Sequence, residues 1–291
     1  MLTSLKYILI SMRPKQWVKN LFVFAGLIFS RNLMDPHLLM KVTLGFALFS
    51  VMASSIYLFN DIRDIGNDRN HRDKHKRPIA SGILKISTAY IVSIALAIVS
   101  LVSAFWLNPK FFFILAIYGV VNAAYSIRLK QMVIIDIMII AFGFVLRVLA
   151  GTVLTGVSPS DWLIICTTTI SLFLGFSKRR QELVLAGDNA GDQRLVLENY
   201  SLPFLDQMIA VVTGCTVISY ALYTVSSETI TRFGTRNLVL TIPFVLYGIF
   251  RYLYLVYQKV SGENPTEMIM KDVPSIVNVV LWFVVVVIVI Y

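Results

Sequence analysis

Hydrophobic positions in this chain do not alternate with polar ones. They come in continuous oily runs of about 20 residues, the length a helix needs to cross a bilayer, separated by short polar stretches. The runs fall at 18–34, 38–60, 86–107, 110–126, 132–157, 161–177, 201–223, 238–258 and 273–291. Unbroken runs of this kind predict helices, because a closed barrel would show alternating segments of about ten residues. The pattern therefore predicts an all-α membrane protein, a nine-transmembrane-helix bundle made of a single domain over 1–291. Its two most polar interruptions are loops at 60–86 and 178–200.

Composition agrees with this picture. Of 291 residues 57% are hydrophobic and 14% charged, and the mean hydropathy is +0.75. Lys and Arg are distributed unevenly: with the N-terminus inside, nineteen fall in inner segments and five in outer ones. Basic residues in short loops are retained on the cytoplasmic side. The expectation is a plasma (inner) membrane protein with a cytoplasmic N-terminus, whose loops 60–86 and 178–200 face the cytoplasm. The same bias, together with attraction to anionic membrane lipids, accounts for much of the net charge of +10, which alone does not demand an anionic substrate. No extramembrane segment is large enough to read a nucleic acid groove, so nucleic acid is excluded as a partner. Cys166 and Cys215 lie inside apolar runs without metal-ligand spacing and read as small core hydrophobes. The first apolar patch is interrupted by Lys6 and followed by "RPKQWVKN", without a cleavage site, so the first span is expected to serve as its own insertion signal.

Charge concentrates where the second run ends. "NDIRDIGNDRNHRDKHKRP", Asn60 to Pro78, holds four aspartates and six Lys/Arg. Asp61, Asp64 and Asp68 are three and four residues apart, which on a continuing helix puts the carboxylates on one face, where they repel one another. A hard divalent cation relieves that repulsion, and Mg²⁺ in particular binds through one or two carboxylates and the phosphates it neutralises. The alternative is a solvated acidic loop balancing nearby lysines. Asn60 stands beside the row; Arg72, Lys74, His75, Lys76 and Arg77 follow it, suited to phosphate oxygens. His71 and His75 read as solvated or hydrogen-bonding, since magnesium prefers oxygen. Pro78 stops any helix, and Ser81 and Gly82 mark a turn.

Other inner ends add cations. Arg13, Lys15 and Lys19 surround Trp17, which reads either as an interfacial anchor or, for Lys15, as a phosphate ligand. Tyr125, Arg128 and Lys130 follow the fourth run, and Lys178, Arg179 and Arg180 end the sixth beside Glu182. Within the runs, Asp136, Arg147 and Arg251 are costly in hydrocarbon and should face the bundle interior or a wet cavity. Arg147 reads equally as a structural anchor and as a substrate residue, while Arg251 is shallow enough to snorkel.

The stretch "NDIRDIGNDRNHRDKHKRPIASG" resembles the NDxxDxxxD motif of the UbiA superfamily of intramembrane prenyltransferases, whose fold is a nine-helix bundle. "RPKQWVKN", "YSIRLKQMVIIDIMIIAFGFVLRVLAG", "KRRQEL" and "NPTEMIMKD" resemble more narrowly the branch that includes decaprenyl-phosphate phosphoribosyltransferase, and the likeness runs from about residue 11 to the last run. The resemblance implies a phosphoribosyl pyrophosphate donor, a polyprenyl phosphate acceptor and Mg²⁺ as cofactor, with pyrophosphate released. Under that reading Asp61, Asp64 and Asp68 are expected to hold the metal, and Lys15, Asn60, Arg77, Tyr125, Lys130, Lys178, Arg179 and Arg180 to bind the substrates. Members that prenylate aromatic acceptors carry a second Asp-rich motif for a second metal. Asp188 and Asp192 have DxxxD spacing, yet among Gly and Asn they read equally as a flexible turn.

Three functions remain in competition on these grounds. They are phosphoribosyl transfer for cell-envelope polysaccharide precursors, prenyl transfer from a prenyl diphosphate to an aromatic or other acceptor, and a non-enzymatic transporter or scaffold. The last is disfavoured by the lack of an internal hydropathy repeat. Homo-oligomerisation is left open.

Overall fold

The structure is a computed structural model of the chain, described here over residues 2–70, 73–187, 195–259 and 265–291. Every regular element among the described residues is helical. Seven helical segments are long and apolar enough to cross a membrane, and the chain divides into two compact units, Met1–Pro159 with Asn189–Asn199, and Ser160–Asp188 with Tyr200–Tyr291.

In the first unit, α1 (Leu2–Met12) leads into a 3-10 helix over Pro14–Phe24 and a single α turn, α2 (Ala25–Ile28). Then come α3 (Pro36–Arg63), α4 (Ile65–Asn70), α5 (Ile86–Leu107), α6 (Pro109–Ile127) and α7 (Ile135–Thr155). Short polar residues with proline start these helices. Asp35 accepts from the backbone N–H of His37 and Leu38 at 2.9 and 3.1 Å, just ahead of Pro36. Asn108 does the same for Lys110 and Phe111 ahead of Pro109, so α5 turns into α6 with no loop. A side-chain cap supplies acceptors to helical N–H groups that have no carbonyl partner, and proline at the first turn loses nothing because its missing N–H would be an orphan.

The helices are held together largely by packing and small polar residues. Burial from water drives little here, because lipid tails are as apolar as a protein core. Val23, Leu27, Phe49, Met52, Phe111, Leu115, Leu146 and Leu154 are fully buried together at the centre. Ser55 on α3 and Ser93 on α5 each donate to the other's backbone carbonyl, at 2.8 and 2.9 Å, and Ser100 donates to the Leu48 carbonyl at 2.8 Å. These three serines let the two helices approach closely and bond their own hydroxyls to carbonyls. The outer faces carry large apolar residues such as Ile91, Trp106 and Val120, an arrangement that suits lipid and not water.

The second unit holds α8 (Asp161–Ala186), α9 (Leu202–Val225), α10 (Ser227–Phe233), α11 (Ile242–Gln258), α12 (Pro265–Lys271) and α13 (Val273–Ile290). The Trp282 indole donates to the Tyr220 hydroxyl at 2.9 Å, which is 2.7 Å from Thr241 Oγ1. Asn278 donates to the Phe244 carbonyl at 2.9 Å. Arg251 reaches out of α11 to Asp272, with two hydrogen bonds of 3.0 and 2.7 Å.

Seven of the nine expected runs coincide with membrane-length helical segments, the run 86–107 residue for residue. Of the other two, one is helical but falls outside the apolar set, and one needs correction. The run 161–177 lies within α8, which continues through the charged stretch to Ala186; its threonines and charged end keep it out of the apolar set. The run 18–34 is not one α-helix, because it begins inside the 3-10 helix and leaves helical geometry after Ile28. A 3-10 helix is a thinner rod than an α-helix. Here the Val23 carbonyl, on the 3-10 helix, meets the main chain of α7 at Gly151, and Gly26, in the α turn that follows, meets Thr152, where a Cβ on Gly26 would lie 2.7 Å from the nitrogen.

Candidate active site

The aspartate row straddles the end of α3. Asp64 ends the helix, and the hydrogen bonds Asp64 N–H to Asn60 O at 2.9 Å and Asp68 N–H to Asp64 O at 2.8 Å carry the helical pattern into α4. Asp61 and Asp68 are almost fully buried, at 2% and 3% exposure. A buried carboxylate needs a positive partner, and each of the three has one. One guanidinium nitrogen of Arg77 lies 3.1 Å from Asp61 and 2.6 Å from Asp68. Arg13 forms a second ion pair with Asp61, and Lys130 pairs with Asp64. The Asn60 amide donates to the other oxygen of Asp64 at 2.9 Å.

These partners come from four parts of the sequence, each fixed by its own local structure. Arg77 opens the loop "RPIASGIL". Ile79, Ala80 and Leu84 in that loop are buried, and Ile79 and Leu84 pack with Leu58 and Ala89. Gly82 takes the left-handed backbone (φ 79°) that the turn needs, and Arg69 ties the loop to α4 through the Ala80 carbonyl at 3.1 Å. Lys130 sits in the 3-10 turn that ends α6. Arg13 follows α1 in a left-handed conformation (φ 53°, ψ 61°), its guanidinium 5.1 Å from the ring of Tyr57, one helical turn before Asp61.

The sequence expectations fall out unevenly. Asp61, Asp64, Asp68, Asn60, Arg77 and Lys130 are brought together. Lys15 is exposed on the 3-10 helix, and Tyr125 is half-buried near the end of α6. Trp17 donates to Ser54 Oγ on α3 at 3.0 Å, which makes it a packing residue as well as an aromatic near an interface. Arg13 was read only as a flanking cation; its left-handed backbone and its reach to Asp61 carry no signal in the sequence. Arg147 behaves as an anchor: it donates to Asn20 Oδ1 at 2.8 Å, the Gly143 carbonyl at 2.7 Å and the Tyr118 hydroxyl at 3.0 Å. His71, Arg72, Asp188, Asp192 and Arg194 lie outside the described residues.

In the second unit Lys178, Arg179 and Arg180 do not share one environment. Arg179 is fully buried and pairs with Glu182, whose other oxygen is 3.5 Å from Lys178. Arg180 donates to Asp206 at 2.6 Å and lies 4.0 Å over the ring of Tyr257, whose hydroxyl donates to the same oxygen at 2.8 Å.

The donor set around Asp61, Asp64 and Asp68 is all oxygen, which fits a hard divalent cation in kind. Its arrangement is different from the single face expected: Asp61 and Asp68 converge on Arg77, while Asp64 is held by Lys130. No group of three or more acidic, His or Cys side chains among the described residues is gathered for a metal as it stands.

A row of carboxylates paired with cations thus stands at the end of a membrane-length helix. The model of the UbiA prenyltransferase family matches residues 20–271, and the chain belongs to that family; it is a transferase and an integral membrane protein. The chain is 33% identical to a decaprenyl-phosphate phosphoribosyltransferase of Mycolicibacterium smegmatis, over 90% of this chain and 85% of the relative. It is 31% identical to the enzyme of the same name from Corynebacterium glutamicum, over 97% of this chain and 86% of the relative. Among solved structures, a UbiA homolog from Archaeoglobus fulgidus bound to DMAPP and Mg²⁺ shares the fold, with a TM-score of 0.73 at 19% identity over 97% of this chain and 98% of that one.

Proposed function

We propose that this transferase moves a 5-phosphoribosyl group from phosphoribosyl pyrophosphate to a polyprenyl phosphate, releasing pyrophosphate, for cell-envelope polysaccharide precursors. The observation that carries the reading is the row Asp61, Asp64 and Asp68 with Arg13, Arg77 and Lys130 around it. The names of the relatives support the choice of donor and acceptor. Magnesium held by the three aspartates would supply Lewis-acid charge to the leaving diphosphate.

The chain's own residues do the rest by position and charge. Arg77 and Lys130, with Asn60, Lys15 and Tyr125, are proposed to orient the donor's phosphates. Lys178, Arg179 and Arg180 are assigned to a substrate phosphate on the family resemblance. As the bond from the ribose carbon to pyrophosphate lengthens, positive charge grows on the ring and negative charge on the leaving group, and fixed cations stabilise the latter without reorganising. The lipid phosphate is already an anion at neutral pH, so its oxygen attacks without a strong base. Holding two reactants in line can lower the barrier by about 7–11 kcal/mol. A site on the cytoplasmic side, where soluble donors are found, is supported by the uneven distribution of Lys and Arg among the loops.

The test is incubation of purified protein with labelled phosphoribosyl pyrophosphate, polyprenyl phosphate and Mg²⁺, with and without EDTA. A labelled lipid that forms only with metal is the expected result. A second reading, prenyl transfer, is favoured by the fold shared with a homolog bound to DMAPP and Mg²⁺; turnover of a prenyl diphosphate in the same assay, with no labelled lipid, would put it first. A transporter or scaffold role is set aside by membership of a transferase family.

A further inference from the structure

Three carboxylates and three cations of this chain make the aspartate row electrically self-sufficient: Arg13 and Arg77 on Asp61, Arg77 again on Asp68, and Lys130 on Asp64. We propose that Arg13, Arg77 and Lys130 are exchangeable counter-ions, which make divalent-cation binding at this row conditional on a diphosphate. The inference rests on the reading of Asp61, Asp64 and Asp68 as metal ligands and adds a regulation of that site.

The physical argument is competition. A metal ion that reaches Asp61 or Asp68 must displace guanidinium N–H groups already bonded to those oxygens. A bare divalent cation adds positive charge to a neutral cluster and strips three half-buried cations of their partners, which is unfavourable. A metal–diphosphate complex brings its own negative charge and offers phosphate oxygens to the displaced groups, and arginine forks suit such oxygens well. Metal and diphosphate therefore strengthen each other's binding by the same factor, as any such coupling must.

Arg13 carries the argument furthest. Among the described residues it is one of three non-glycine residues with positive φ, a conformation that L-residues adopt at a cost and that points to function when surrounding structure enforces it. Ser54 holds both flanks, its hydroxyl proton shared between the Ser50 carbonyl at 2.8 Å and the Met12 carbonyl at 3.1 Å and its oxygen accepting from Trp17 at 3.0 Å. The guanidinium is thereby aimed past Tyr57 at Asp61 while its side chain keeps 25% exposure. An arginine meant only to bury a charge has no need of that open side; one that changes partners does.

The experiment measures Mn²⁺ retained by the full-length protein in detergent in equilibrium dialysis, with and without inorganic pyrophosphate, the Mn²⁺–pyrophosphate complex being free to equilibrate across the membrane and counted in a protein-free control. The parent is expected to bind Mn²⁺ at least tenfold more tightly with pyrophosphate present. Arg13→Gln is expected to bind bare Mn²⁺ at least fivefold more tightly than the parent and to show a smaller gain from pyrophosphate, while Arg13→Lys, which keeps the charge, stays near the parent. A folded Arg13→Gln protein that binds bare Mn²⁺ no more tightly than the parent overturns the proposal. Should that variant not fold, Lys130→Gln carries the same expectation and the same overturning result through Asp64. Failure of the underlying reading looks different: Mn²⁺ binding would then be insensitive to Asp61→Asn and Asp64→Asn.

Discussion

The carbonyl oxygen of Val23 lies 1.8 Å from the point a Cβ on Gly151 would occupy, so the 3-10 helix and α7 touch main chain to main chain. No side chain can swing aside to relieve that contact. Gly151→Ala must push two elements apart, and overpacking of this kind costs about 1–3 kcal/mol, sometimes more. Thermal unfolding in detergent should show a transition several degrees lower. Gly214→Ala, in α9, is the control: nothing lies within 4 Å of its Cβ position, so the helix should gain slightly from the better helix former.

Arg147 is the other bond between these segments. It is 5% exposed and all of its hydrogen-bond acceptors are neutral, while the rings of Phe49, Tyr118 and Phe144 lie 4.9–5.3 Å from its guanidinium carbon. Cation–π contact and bonds to carbonyl-type oxygens replace the carboxylate a buried arginine usually takes. Hydrogen bonds to a charged group contribute about 1.5–3 kcal/mol, so Arg147→Gln should destabilise by that order. Arg147→Lys should rescue little, since an ammonium cannot span the three acceptors. A lysine variant that melts with the parent would show that charge, and not the planar fork, is what the site requires.

Much of the architecture was legible because oily runs of bilayer length have few alternative meanings. What was illegible has physical causes. The run 18–34 is apolar enough for a span, but it starts as a 3-10 helix, and Gly26 and Gly151 allow a close backbone approach to α7 that hydropathy does not register. The stretch after Pro78 reads in sequence only as a turn at Ser81 and Gly82, yet Ile79, Ala80 and Leu84 turn inward beside Arg77. At the site, residue types were legible and pairings were not. Spacing put Asp61, Asp64 and Asp68 on one face, whereas the cations that divide them come from residues 13, 77 and 130. Lys178, Arg179 and Arg180 read as one basic patch, but helical geometry sends Arg179 into the packing and Arg180 to Asp206.

Asp272 gives a pH prediction at a site away from the aspartate row. Its hydrogen bonds from Arg251, and further ones from the Ser275 hydroxyl and backbone N–H, hold its carboxyl well below the usual carboxylate range, against a smaller opposing effect of burial. A group whose pKa is lower folded than unfolded stabilises the protein above its unfolded value, about 3.9, and loses that contribution as pH falls through the folded value. The difference in melting temperature between the parent and Asp272→Asn should therefore be full at neutral pH and shrink below about pH 4. A difference that stays constant through the acid range would mean that the carboxylate's charge contributes nothing. Asp272→Ala should lose a further ~1 kcal/mol, because it also removes the cap of α13.

The last prediction concerns the row itself. Asp61→Asn, Asp64→Asn and Asp68→Asn keep the size and one carbonyl oxygen of each side chain while removing the charge that a metal–diphosphate requires. Loss of a preorganised electrostatic group commonly lowers turnover by about 10²–10³-fold, and each variant should fall by that order in the labelled-lipid assay. The variants differ in what they release: Asp61→Asn frees Arg13 and one contact of Arg77, whereas Asp64→Asn frees Lys130 alone. Lys130→Gln added to Asp64→Asn should then restore stability without restoring activity, because the pair is neutral again and the metal ligand is still missing. On the phosphoribosyl reading, which assigns no metal to them, the double variant Asp188→Asn with Asp192→Asn should keep most of the activity. If the three row variants work nearly as well as the parent while the Asp188 and Asp192 pair proves essential, the site has been placed at the wrong aspartates.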